Sequence, residues 1–227
     1  SVQSMSPELS LQASGAASPN GAADIYIGQL TLPYYLGQPG PVAPRAPLEA
    51  FWRSAGEQFL TRYAPQPMRR SELPIPVLAT LPKGDKPAAG WPIVIYQHGI
   101  LANRATLLGI ADALAGRGFA AIAIDLPLHG VTGLETDGRE RLRMAGLERH
   151  FDLDLIENAT GLPGADGSID PSGEHFLNLT WPLTARDNLR QAVADLFVLY
   201  RALGQADVDG DGQGDFALDS VSYLGHS

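Results

Sequence analysis

Hydrophobic positions along this chain repeat with two periods, and the changes from one to the other outline a fold. Residues 1–23 are rich in Ser, Ala, Gly and Gln without periodicity and read as a flexible lead-in. Ile25, Ile27, Leu30 and Leu32 alternate loosely, which predicts a hairpin or edge strand. Four prolines in 37–47 impose an extended loop. Phe51, Trp52, Ala55, Phe59, Leu60 and Tyr63 fall on one helical face, so 48–63 is expected to be a helix whose aromatics pack in the core or line an acyl pocket. Residues 72–81 alternate with period two, and Pro74 and Pro76 mark that strand as an edge. The apolar run 92–96 has the pattern of a strand buried on both faces. A helix follows over 103–116, with Asn103 as N-cap, Gly118 as its stop, and Leu107, Leu108, Ala111, Leu114 and Ala115 inward. Residues 119–124 are a second apolar strand, so strand, helix and strand form a right-handed parallel unit.

After Asp125 the alternation stops. Residues 131–182 are rich in Gly, Asp and Glu and read as a functional, cap-like insertion, with a short helix at 139–150. Residues 184–203 are a strong amphipathic helix, opened by a Thr184–Asp187 capping box and facing inward through Leu189, Val193, Leu196, Phe197, Tyr200 and Leu203. An acidic loop, 207–215, then leads to a last strand ending at Ser227. The fold class is α/β, a mostly parallel sheet flanked by helices, with one domain over 24–227.

At 227 residues and 44% apolar content, the chain can bury a substantial core. The net charge of −9 and the lack of a basic stripe argue against a nucleic-acid partner. No apolar run approaches the roughly 18 residues of a membrane span, so no transmembrane segment is expected. The chain contains no cysteine, which excludes disulfides and thiolate metal sites. An acidic, Pro- and Gly-rich chain without cysteine suggests a secreted or bacterial envelope protein, with any export signal outside these residues.

Gly225-His226-Ser227, after a β-prone run, matches the front half of a G-x-S-x-G nucleophile elbow. There Ser227 would be the nucleophile, and Gly225 would spare the tight turn a clash with a following helix. Acyl transfer also needs N–H donors placed where an oxyanion forms. Gln97-His98-Gly99-Ile100, directly after a buried strand, is suited to that, with the N–H of Ile100 as candidate donor and Gly99 in the same loop. His98 is expected to pack beneath this loop on the substrate side. His129, in Pro127-Leu128-His129-Gly130, is either a loop histidine bonded to backbone or a substrate-side contact. Asp125 is expected to fix its loop. The chemistry needs no cofactor. Asp207, Asp209, Asp211, the Gln213 carbonyl and Asp215 alternate like the start of a calcium loop, yet position twelve is Leu218 rather than Glu. The region is either a calcium site or a metal-free acidic turn.

These segments resemble the α/β-hydrolase superfamily, and more narrowly the bacterial extracellular, virulence-factor type lipases and lysophospholipases. The resemblance rests on 97–100, Ala123-Ile124-Asp125-Leu126-Pro127-Leu128-His129-Gly130, Arg186-Asp187-Asn188-Leu189-Arg190-Gln191, and 225–227, and covers roughly residues 75–130 and 180–227. It implies a serine carboxylester hydrolase acting on lipid or other acyl esters. The family orders its triad Ser, acid, His, whereas all five histidines here (His98, His129, His150, His175, His226) precede Ser227. The expectation is therefore the N-terminal portion of a hydrolase, incomplete at the nucleophile elbow, inactive alone, and completed by the missing C-terminal part of the same protein. A different reading is a non-catalytic binding or envelope adaptor domain with a hydrolase-like sheet.

Overall fold

The computed structural model describes residues 7–227. The strands are β1 (Leu9–Ala17), β2 (Ala23–Tyr34), β3 (Ser71–Pro82), β4 (Trp91–Gln97), β5 (Ala120–Ile124), β6 (Ile156–Glu157), β7 (Leu162–Pro163) and β8 (Phe216–Gly225). The helices are α1 (Ala46–Glu49), α2 (Leu108–Ala115) and α3 (Pro182–Leu203), and short 3₁₀ turns include Arg104–Leu107 and Arg139–Leu142. Six strands form one sheet in the order β1-β2-β3-β5-β4-β8, while β6 and β7 form a small ladder of their own. β5, β4 and β8 are parallel; β1, β2 and β3 join them antiparallel. The sheet is thus mixed, and only its β5-β4-β8 half has the expected parallel character. Helices flank it on both faces, an α/β architecture.

The period-two pattern decides which helix covers which face. Ile93, Ile95, Ile122 and Val77 face α3 through Leu199, Ala202 and Leu203. Val94, Tyr96, Ala121, Ala123 and Leu78 face the other way, against Leu107, Leu108 and Leu114 around α2. Each strand in the middle is therefore apolar on both faces, which is why 92–96 and 120–124 read as continuous runs. Burying the larger of these side chains stabilises the fold by roughly 1.5–3 kcal/mol each.

Several expectations are corrected. The first six residues of the expected lead-in lie outside the described residues, but Leu9–Ala17 is an edge strand paired with β2, so β2 is internal. β3 is also internal. Its Pro74 and Pro76 pair with β2 beyond the reach of β5, which meets only Val77–Thr80, so the missing N–H groups interrupt no second ladder. The helix expected over 48–63 does not form. α1 stops at Glu49, Gly56 turns left-handed at φ 71°, and the Trp52 N–H bonds Asp187 at 2.9 Å instead of a helical carbonyl. Phe51 and Phe59 stack at 5.6 Å with the Arg53 guanidinium over both rings. The expected short helix at 139–150 is only the 3₁₀ turn Arg139–Leu142.

α3 differs most from its sequence pattern. Trp181, not Thr184, is the N-cap residue, and no side chain caps it. The buried face of its first half is polar: Asp187, Asn188, Gln191 and Asp195. Each has a partner, because Asn188 donates to Phe176 O at 2.9 Å, Gln191 exchanges bonds with Tyr35 N and Pro33 O at 3.1 Å, and Asp195 pairs with Arg149 at 2.7 Å. The apolar row expected inward is exposed at Leu189, Val193 (54%), Phe197 (69%) and Tyr200. With Ile95, Val221 and Tyr223 it walls a groove of about 420 Å³ beside β8, whose second edge has no strand among the described residues.

The 131–182 insertion is not a detached cap. Glu148, Arg149 and His150 are buried, as are Asp170, Ser172 and Phe176. Arg104 grips the Glu148 carboxylate with two bonds of 2.8 Å, and Leu48, Leu128 and Leu153 form a small cluster beneath it. No helix among the described residues is long and apolar enough to cross a membrane.

Candidate active site

The last residue of β4, Gln97, pairs with Gly225 at the end of β8, so the loops after both strands leave the sheet side by side. α2 and α3 cover opposite faces, which makes this the point where the connections diverge and open α/β sheets bind ligands. His226 N–H donates to Gln97 O at 2.9 Å and ties the two loops together. A Cβ on Gly99 would lie 3.1 Å from the Ser227 carbonyl carbon and 3.2 Å from His226 O. Glycine at 99 thus lets the loop after β4 reach the residue read as nucleophile. At Gly225 a Cβ would meet the Tyr223 ring at 3.3 Å.

Ser227 and Ile100 are exposed. The Ile100 N–H enters no hydrogen bond among the described residues. The loop closes with Ala102 N–H to Gly99 O at 3.1 Å and passes through Leu101 at φ 67°. A left-handed leucine costs of order 1–2 kcal/mol, and such strain clusters at functional loops. The His226 ring lies over Gly99, with Nδ1 3.5 Å from the position of the absent Cβ, and makes no hydrogen bond with Ser227 among the described residues.

The structure takes His98 and His129 off the substrate side; both are buried. His98 Nε2 accepts the Leu126 N–H at 3.1 Å, which leaves the proton on Nδ1, 2.8 Å from Gly99 O. Burial pushes its pKa down, against the opposing pull of the Asp125 charge. His129 Nδ1 donates to Pro127 O at 2.9 Å, and its buried Nε2 has no partner. Burial, and then the neighbouring His98, push its pKa down to about 3. Its ring packs on His98 and Phe176, at 5.0 and 5.1 Å. Both histidines are neutral props beneath the loop, the backbone-bonded alternative for His129.

Asp125 fixes its loop as expected, by accepting the Arg104 N–H at 2.6 Å and the Arg104 guanidinium. Burial raises its pKa, but the Arg104 charge, the neighbouring His98 and the Arg104 hydrogen bonds together outweigh that, and the net shift is downward. Arg149 continues the network by donating to Asp125 O and pairing with Asp195. Arg104, Glu148, Arg149 and Asp195 escaped the sequence reading. Their signal is an isolated charge inside otherwise apolar or helical runs, where a buried ion must find a partner.

The acidic loop lies at the other end of β8, about 30 Å away for a ten-residue strand at about 3.3 Å per residue. Asp207, Asp209 and Asp215 bring carboxylate oxygens within 4.8 Å of one another. Asp211 joins them through Lys86, whose ammonium sits 2.8 Å from Asp209, 3.0 Å from Asp211 and 2.6 Å from Asp215. Those partners raise the Lys86 pKa, and Lys86 lowers that of Asp209. Asp207 accepts from Gly210 N and Gly212 N at 2.6 and 2.8 Å, and the Gln213 N–H bonds Asp211 at 2.7 Å. The carboxylates suit a hard cation, and the protein's own ammonium occupies their centre.

No family model and no curated protein matches the chain. Among solved structures it is similar to an acetyl xylan esterase from Paenibacillus sp. R4, with 15% identity and a TM-score of 0.41 over 96% of this chain and 45% of that one. It is also similar to acetyl xylan esterase 1 from Thermoanaerobacterium sp. JW/SL YS485, with 15% identity and a TM-score of 0.47 over 99% of this chain and 46% of that one. The chain spans less than half the length of these structures.

Proposed function

We propose that these residues belong to a serine carboxylester hydrolase of lipase or esterase type, acting on lipid or other acyl esters. The observation that carries this reading is the close approach of 98–100 to 225–227 across Gly99, with the Ile100 N–H unbonded among the described residues. Ser227 Oγ attacks the ester carbonyl carbon, its proton passes to a general base, and the carbonyl oxygen takes negative charge facing the Ile100 N–H. The tetrahedral intermediate then expels the alcohol, which receives the proton back. Neither His98 nor His129 is placed to serve as that base: both are buried, His98 Nε2 is taken up by the Leu126 N–H, and His129 Nε2 faces Gly173. Among the described residues no histidine hydrogen-bonds Ser227, so this reading requires a base that these contacts do not provide. Calcium in the acidic loop would steady the start of β8 in competition with Lys86, without entering the chemistry.

The test is hydrolysis of p-nitrophenyl butyrate by the native polypeptide that contains these residues. Ser227→Ala should abolish turnover, and Ile100→Pro, which deletes the donor, should lower kcat about 10²–10³-fold. Undiminished hydrolysis in both variants would contradict the reading.

A further inference from the structure

A second site lies beside this one. Residues of 155–181, with Arg45 and Leu48 from α1 and its N-cap, enclose a cleft of about 310 Å³, whose wall holds Arg45, Glu174, His175, Thr180 and Trp181 together with six aliphatic side chains, Leu155 and Leu177 among them. The buried Asp170 carboxylate organises it, accepting Leu155 N at 2.9 Å, Ile156 N at 3.2 Å and His175 Nε2 at 2.7 Å. A carboxylate accepts only, so Nε2 donates to Asp170 and Nδ1 is left for another partner. That nitrogen, the Glu174 carboxylate, the Thr180 hydroxyl and the Trp181 indole N–H have no protein partner among the described residues. Arg45 meets only Glu49, at 3.6 Å. Donors, acceptors and aliphatic carbon thus line one cleft with the half-exposed Trp181.

We propose that this cleft binds a polyhydroxylated, sugar-type group. A sugar ring offers an apolar C–H face to the indole and hydroxyls that both donate and accept, so it can satisfy Glu174 and His175 together with Arg45 and Thr180. An acyl chain would desolvate those groups without replacing their hydrogen bonds, and an anion would meet Glu174. The residues just before Glu174 connect the cleft to the loop after β4. Ser172 Oγ donates to Ala102 O at 2.6 Å, directly behind the Gly99–Ala102 turn, and Gly173 packs on the His129 ring under the same loop. In the ester-hydrolase reading, on which this last step rests, the cleft receives the alcohol part of the ester, from a glycan or from a lipid headgroup.

The test is binding, which needs no catalysis. The Trp181 indole N–H resonance, assigned with Trp181→Phe, is followed while methyl β-glucoside, cellotriose, octyl glucoside below its micelle concentration, or octanoate is added. Methyl β-glucoside should shift it saturably, and His175→Ala and Glu174→Gln should each weaken binding about 10-fold. Tighter binding of cellotriose marks a glycan, and tighter binding of octyl glucoside a headgroup; both support the sugar class. A response to octanoate or octyl glucoside without one to methyl β-glucoside overturns the proposal, as does glucoside binding that both substitutions leave intact. Sugar binding in a protein whose Ser227 resists acylation would sink the hydrolase reading and leave this site standing.

Discussion

His129 makes the fold acid-sensitive in a calculable way. Its ring is buried, its Nδ1–H is committed to Pro127 O, and its bare Nε2 faces Gly173. A second proton would place a charge among His98, Arg149 and packed carbon, with Asp125 the nearby anion. The folded-state pKa is about 3, against an ordinary 6.5. Because the folded value lies below the unfolded one, the contribution is complete above about pH 6.5 and is lost as pH falls towards 3. Within that window the unfolded chain holds one more proton, and stability falls by up to about 1.4 kcal/mol per pH unit. Between about pH 6 and about pH 4 the integrated loss is about 2.5 kcal/mol, or roughly 5–10 °C in Tm for a chain of this size. His129→Asn keeps an N–H for Pro127 and does not titrate. Urea unfolding of both proteins across this range should show the wild type falling about 2.5 kcal/mol further than the variant. His98, also pushed down by burial, adds a slope to both. Parallel pH dependences would refute the reasoning.

Arg104→Met should leave Asp125 and Glu148 buried without their shared cation and cost about 3–5 kcal/mol, read by chemical denaturation; a loss below about 1 kcal/mol would show that the network relaxes or hydrates. Gly99→Ala should press a methyl against Ser227 and His226 and lower ester turnover of the native polypeptide at least 10-fold, while its circular dichroism stays that of the wild type. In the acidic loop, millimolar calcium should raise the Tm of the wild type and fail to do so in Asp209→Ala with Asp211→Ala; an unchanged wild-type Tm in calcium and in EDTA would show that Lys86 alone neutralises the loop.

The parts of the fold legible in the sequence are those where local pattern and burial agree. The apolar runs at 92–96 and 120–124 are central strands, and Asn103 caps its turn by accepting the Ala105 N–H at 3.1 Å. The loop after β4 and the end of β8 lie side by side, with Gly99 against the backbone of His226 and Ser227. What failed was periodicity without knowledge of the partner surface. The aromatic spacing in 48–63 suits a helix, but tertiary bonds from Trp52 to Asp187 and the Arg53 sandwich hold an irregular loop. The apolar row of α3 suits a core, but the helix buries polar groups that satisfy the loops around it. For His129 the sequence leaves a backbone-bonded and a substrate-side reading open, and its bond to Pro127 O, like that of His98 to Leu126 N, favours the first. The Asp170–His175 pair sits in a stretch with no periodic signal.

The central claim, that Ser227 is the acylated residue, is tested most directly by treating the native polypeptide with a fluorophosphonate and locating the adduct by tandem mass spectrometry. The account predicts one adduct, on Ser227, absent in Ser227→Ala, together with the loss of ester hydrolysis. An adduct on another serine, or full hydrolysis in Ser227→Ala, would contradict it.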